Sequence, residues 1–210
     1  MRPDNRSRLR PSGPLATAIA AVAVTLAACS SSSSSTAAPP TTSAPTTAPA
    51  LSGSLSVFAA ASLTGAFNSA RSSLTTANPG FSVTYNLGGS NALVAQIQQG
   101  APADVFASAD EANMQRLVAA GLVGPPVTFA RNKLEIAVAA GNPKKITGLA
   151  DLAKPGTTVI LEAVGVPAGD YTRQLLASKG ITVSPKSLET DVKSAVAKLT
   201  SGEADATVVY

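Results

Sequence analysis

Beyond about residue 53, short apolar runs alternate with segments patterned at helical spacing, an alternation that few folds accommodate. Leu55-Ser56-Val57-Phe58 reads as a buried strand, and a helical pattern follows from Leu63 to about Ala77. Phe81–Tyr85 alternates as a strand does, and Ala92–Gln99 is patterned as a helix. Asp104–Phe106 predicts a short strand, Glu111–Ala120 a helix, Leu134–Ala139 an apolar run and Thr158–Leu161 another short strand. Helices are expected over Ala168–Ser178 and Val192–Thr200, then a strand over Ala206–Tyr210. Strands interleaved with helices indicate an α/β fold with largely parallel sheets. The sequence stops inside that last apolar stretch, which reads as a C-terminally truncated chain.

The N-terminal part obeys different rules. Arg2, Arg6, Arg8 and Arg10 precede an uncharged stretch from Pro14 to Ala28, and Cys29 follows. A basic start, a short apolar centre and small residues at the end describe a secretory signal. The run is shorter than the about 20 residues that a spanning helix requires. Leu26-Ala27-Ala28-Cys29 resembles the bacterial lipobox, whose cysteine is acylated and becomes the first mature residue. Cys29 is also the only cysteine, so no intrachain disulfide can form. Acylation gives that lone exported thiol a purpose, because acyl chains hold a domain at a membrane surface.

Ser30–Ser35 is an unbroken serine run, and Thr36–Ala50 contains only Ala, Pro, Thr and Ser. Such a segment buries too little apolar surface to offset its ordering entropy and reads as a disordered tether. The expected organisation is a lipoprotein signal peptide over 1–28, a tether over 29–52, a first lobe over 53–130, left incomplete, and a second lobe over 131–210. The formal charge of +4 shrinks to about +1 once residues 1–28 are set aside. That balance, with no histidine, no tryptophan and few aromatics, argues against nucleic-acid binding and imidazole metal sites.

Several strand-to-helix junctions share one chemical character. Ser62 follows Ala59-Ala60-Ala61, and Ser90 follows Gly88-Gly89. Pro167-Ala168-Gly169 opens one later helix, and Thr190-Asp191-Val192 opens another. Free N–H groups at a helix start, with the positive end of its dipole, attract anions. In open α/β sheets these junctions line the crevice where ligands bind. Each has an ordinary structural reading too: Ser62 and Ser90 as N-caps, Pro167 as a helix starter. Asp110 reads as a helix cap, Lys144-Lys145 as a solvated turn, Asp104 as structural, and Tyr85 and Tyr171 as packing residues.

A resemblance decides between these readings. Phe58–Thr64 looks like the opening strand and loop of the periplasmic molybdate-binding proteins, the substrate-binding components of molybdate ABC transporters. Gly100–Asp110 and Phe129–Leu134 resemble two further segments of that family. Val166-Pro167-Ala168-Gly169 with Tyr171, then Asp191-Val192 and Val209-Tyr210, match in order and approximate spacing. The similarity covers Leu55 to Tyr210 and implies a two-lobed periplasmic-binding-protein fold of type II-like character.

It also implies the ligand contacts. Ser62 and Ser90 donate from the first lobe through hydroxyl and amide, Ala168 and Val192 donate from the second through their amides, and Tyr210 donates through its hydroxyl. Molybdenum is then present only inside the bound oxyanion, without direct protein ligands and without a cofactor. Tungstate, of nearly the same size and charge, is expected to bind as well. A site made of donors disfavours hydrogen phosphate, whose proton needs an acceptor, and size separates sulfate.

The resemblance further implies a monomer that hands its ligand to an ABC permease driven by a separate ATPase. Its place is the outer face of the bacterial cytoplasmic membrane. A binding protein of the same fold for another oxyanion, such as sulfate, is the alternative. A purely adhesive lipoprotein and a surface hydrolase using Ser62 or Ser90 are more remote. The chain lacks histidine and a G-x-S-x-G elbow, which leaves such a serine without its usual base and the chain read as a non-enzyme.

Overall fold

The computed structural model of the chain describes residues 50–210. The signal peptide, Cys29 and nearly all of the tether expected from the sequence lie outside the described residues. Among the described residues no helix is long and apolar enough to cross a membrane.

The first sheet contains β1 (Gly53–Ala60), β2 (Phe81–Gly88) and β3 (Val105–Ala107) in the order β2-β1-β3, all parallel. Its central strand β1 buries Val57, Phe58, Ala59 and Ala60 in succession, because a strand paired on both edges and covered on both faces needs a continuous apolar run. Alternation divides its contacts. Val57 and Ala59 meet Val83, Leu63 and Phe67 on one side, and Phe67 belongs to α1 (Thr64–Ala77). Phe58 meets Leu93, Val94 and Ile97 of α2 (Ser90–Gln98) and Leu117 of α3 (Glu111–Ala119) on the other. Asp104 ties β3 to β1 by accepting the Ser56 amide at 2.7 Å, the structural role read from the sequence. Asp110 caps α3 by accepting the Asn113 amide at 3.0 Å, also as expected.

A second group of strands comprises β4 (Glu135–Val138), β5 (Ile160–Glu162), β6 (Ser187–Glu189) and β7 (Ala206–Val209). β5 and β6 pair in parallel, β4 and β7 pair antiparallel, and a parallel bridge from Val159 to Ala206 joins the two pairs. The sheets are thus largely parallel, as expected, with β4 as the antiparallel exception. Val159, Leu161, Ala206 and Val208 face Leu176 of α4 (Pro167–Ser178), whereas Ile160 faces Leu199 of α5 (Val192–Thr200). Both halves are α/β layers with helices on two faces, the two-lobed architecture expected from the sequence. Lys144, read as part of a solvated turn, also donates to the Gly156 carbonyl at 2.7 Å, and Lys145 takes a positive φ of 51°.

Candidate oxyanion site

The carboxyl ends of β1, β2, β5 and β6 each run into a helical turn within a few residues, so four sets of uncommitted amides accumulate at strand ends. β1 passes through Ala60 into a short 3-10 turn, Ala61–Leu63, that carries Ser62 on its exposed side. β2 passes through Gly89 into α2, whose first residue is Ser90. β5 leads to α4, with Val166 as cap and Pro167 as first helical residue, and β6 leads to α5 through Asp191.

Neither serine caps its helix, which corrects the ordinary reading of both. Ala60 and Gly89 occupy the cap positions, and no side chain makes a capping bond at either. Ser90 is 1% exposed, and its Oγ accepts the amide of Ala109 at 3.0 Å. That bond occupies a lone pair and leaves the hydroxyl proton free to donate elsewhere. The amides of Ala92 and Leu93 both donate to the Gly89 carbonyl, at 3.0 and 3.1 Å, so the uncommitted amides of α2 are those of Ser90 and Asn91.

The second lobe selects its donors by similar local chemistry. Pro167 has no N–H and Asp170 donates back to the Val166 carbonyl at 2.9 Å, which leaves Ala168 and Gly169 with the free amides of α4. The carboxylate of Asp191 accepts the amides of Lys193 and Ser194 at 2.8 and 3.0 Å, and Ala195 donates to the Asp191 carbonyl at 3.2 Å. The Val192 amide is the one left over. Asp191 is thus engaged by its own helix, so its negative charge is partly spent on the donors it caps.

Tyr210 directly follows β7 and has a buried hydroxyl with no hydrogen-bond partner among the described residues. Burial, followed by Tyr171 and then the charges of Asp110, Glu162 and Asp170, holds its phenol well above the usual range. The hydroxyl therefore keeps its proton and can act as a donor at any physiological pH.

All five residues expected as ligand contacts line one small cavity. Ser62 and Ser90 border it from the first lobe, and Ala168, Val192 and Tyr210 from the second. Its volume of about 10 Å³ is room for roughly one water, so a five-atom anion requires the lobes to part. The lobes approach closely at Gly89, where a Cβ would fall 2.5 Å from the Thr190 carbonyl oxygen. Glycine is the residue that permits this approach. A wider cleft runs from the cavity between Ser62 and Lys193, and Lys193 makes no hydrogen bond to Ser62. Among the described residues no group of His, Cys, Asp and Glu could hold a metal ion.

Tyr85 packs as expected: its ring lies 5.8 Å from that of Phe67, and its hydroxyl donates to the Phe67 carbonyl at 2.7 Å. Tyr171 is instead 39% exposed and lines a groove along β3, so the expectation of a packing role fails there. Sequence reading also passed over Glu162. It is 0% exposed, with both carboxyl oxygens lacking a partner among the described residues. The available signal was an acidic residue closing the apolar run Val159-Ile160-Leu161.

The profile of the bacterial extracellular solute-binding proteins matches residues 55–210. The chain is 46% identical over 158 residues to the molybdate-binding protein of Mycobacterium tuberculosis, which covers 75% of this chain and 60% of that one. It is 32% identical over 169 residues to the molybdate-binding protein of Escherichia coli, covering 75% and 65%. The chain thus spans less than two thirds of the length of these relatives. Among solved structures, the periplasmic molybdate-binding protein of Azotobacter vinelandii superposes with a TM-score of 0.58 at 25% identity, over 74% of this chain and 70% of that one. The sulfate-binding protein of Mycobacterium tuberculosis gives 0.57 at 22% identity, over 75% and 64%, a likeness of fold.

Proposed function

The chain belongs to the bacterial extracellular solute-binding proteins, and from that premise we propose that it captures molybdate, and tungstate as well, for delivery to an ABC permease. The observation that carries this reading is the convergence of Ser62, Ser90, Ala168, Val192 and Tyr210 on one cavity lined from both lobes. Each of the five supplies an N–H or O–H. A dianion needs several such bonds to offset its desolvation, and hydrogen bonds to a charged group are worth about 1.5–3 kcal/mol each. Helix N-termini add fixed partial positive charge, so capture requires no cation.

The identity to two molybdate-binding relatives supports molybdate as the ligand, and the donor-only lining supports a fully deprotonated oxyanion. Binding is then a hinge event: the anion bridges donors from both lobes and favours the closed state, whose surface the permease would read. The chain acts as a binding protein without a chemical step of its own. In the same reading Cys29 is acylated and anchors the protein at the outer face of the cytoplasmic membrane. A Bacillus subtilis relative, 28% identical over 161 residues, is described as a putative substrate-binding lipoprotein, in keeping with that anchor.

Calorimetry with molybdate, tungstate and sulfate tests the ligand. Micromolar or tighter binding of the first two and none of the third is expected. Sulfate binding that molybdate fails to displace would select the alternative oxyanion instead.

A further inference from the structure

Glu162 is the last residue of β5, the strand that leads to α4, and it pairs with β6, the strand that leads to α5. Its carbonyl lies beneath the first turn of α4, where a Cβ on Gly169 would come within 2.5 Å of it. On the neighbouring strand it is in register with Glu189, so the two side chains share a face of the sheet. Glu189 reaches Lys198 of α5 at 2.6 Å, which identifies that face as the one under α5.

The charged groups nearest Glu162 on β6, α4 and α5 are committed elsewhere. Glu189 is held by Lys198 and by the Ser187 hydroxyl at 2.6 Å, and Asp191 caps α5. Arg173 of α4 spends its guanidinium on the carbonyls of Glu162 and Ala163, each at 2.8 Å, and on Asp170 at 2.7 Å. From β7 comes Thr207, a buried hydroxyl without a partner among the described residues, and Tyr210 lies beyond it. Lys193 lies on the outer cleft.

A carboxylate with these surroundings has lost its water and gained no donor, so its neutral form is favoured. Burial pushes Glu162 up to about 7, its own amide and Arg173 offset this in part, and Asp191 and Glu189 add to it. The field of Glu162 reaches Tyr210, a member of the donor ring, since its charge is among those that raise the phenol.

Resting on the oxyanion site described above, we propose that Glu162 makes anion capture proton-coupled: closure on a dianion draws one proton from solvent onto its carboxylate. Ionised Glu162 and a divalent anion would repel one another across a poorly solvated strand end. Each therefore disfavours the other, and by linkage the bound anion strengthens the hold on the proton as much as the proton strengthens the hold on the anion. Glu162 is a positioning residue for charge and need not touch the ligand.

Calorimetry on the full chain and on Glu162→Gln, with molybdate at pH 6, 7 and 8 in two buffers of different ionisation heat, tests this. Wild type should take up a fraction of a proton on binding and lose affinity with rising pH, approaching tenfold per pH unit above the midpoint of Glu162. The glutamine variant should hold its pH 6 affinity to pH 8, with equal heats in both buffers. If that variant does not fold, the wild-type proton count alone decides the matter. Wild-type affinity that is flat with pH, with equal heats in the two buffers, would overturn the proposal and leave the oxyanion site intact. Absence of any molybdate binding at all three pH values would instead overturn the site reading and this proposal with it.

Discussion

Replacing Ser90 by alanine separates the strap that its hydroxyl forms from the donor role proposed for it. Ser90 Oγ accepts the Ala109 amide at 3.0 Å and thereby straps the loop after β3 to the start of α2. Its proton remains free for the ligand. Removing the oxygen leaves a half-buried amide unpaired, which costs about 1 kcal/mol of stability, the low end of the range because Ala109 is not fully enclosed. It also deletes a donor to a dianion in a site that is 1% exposed at this residue. At about 1.5–3 kcal/mol, that loss corresponds to a fall in affinity of about 10- to 150-fold.

Urea denaturation without ligand reads the first term, and calorimetry with molybdate reads the second. Ser90→Ala should lose both, and Ser90→Thr, which keeps the hydroxyl, should recover the strap. If the alanine variant is destabilised by about 1 kcal/mol yet binds molybdate within twofold of wild type, Ser90 is a structural strap and the donor assignment is wrong.

Tyr210→Phe should act with opposite signs on the two quantities. The hydroxyl is buried without a partner among the described residues, so its removal is expected to leave the unliganded protein equally or slightly more stable, while molybdate affinity falls at least about tenfold. Equal loss of stability and affinity would contradict the assignment. Glu162 should leave a mark on stability as well as on binding. Its folded-state pKa of about 7 lies above the ordinary value of 4.5, so between these limits the folded protein holds a proton that the unfolded chain has released. Stability is thus fully present below about pH 4.5 and falls by about 1.4 kcal/mol per pH unit, about 3 kcal/mol in all, as pH rises towards 7. Glu162→Gln should flatten that slope in urea midpoints measured from pH 5 to 8; an unchanged slope would place the titration elsewhere.

The elements that sequence reading located are those whose pattern repeats over a full turn or several alternations. Val192–Thr200 was legible because its buried positions, Ala195 and Leu199, stand at helical spacing, and α1 because its 14 residues sustain a helical pattern although none of them is fully buried. β6 was not. Ser187–Glu189 is three residues long, follows Lys186, and leaves Leu188 53% exposed, so only its pairing with β5 makes it a strand. The same pairing shifts β5 from the expected Thr158–Leu161 to Ile160–Glu162, because register is set by the partner. Antiparallel β4 was invisible for a related reason: strand direction is a property of the path between elements.

Donor chemistry was legible at the level of residue type and ambiguous at the level of role. A serine before a helix suggests a cap, yet backbone conformation at Ala60 and Gly89 puts Ser62 and Ser90 one or two positions further on, where a hydroxyl no longer reaches its own helix. Asp191 shows the complementary outcome, for a carboxylate at the true cap position turns back and consumes two amides. The difference of one residue between cap and first turn decides whether a polar side chain satisfies the helix or is left for something else. Glu162 lies beyond that kind of reading altogether. Its strand neighbours are apolar, its spacing is ordinary, and the feature that sets its chemistry is a deficit of donors arising from three other elements. The convergence of the donor residues on one cavity and the acid left without a partner among the described residues both arise from packing, and neither is visible until the chain has folded.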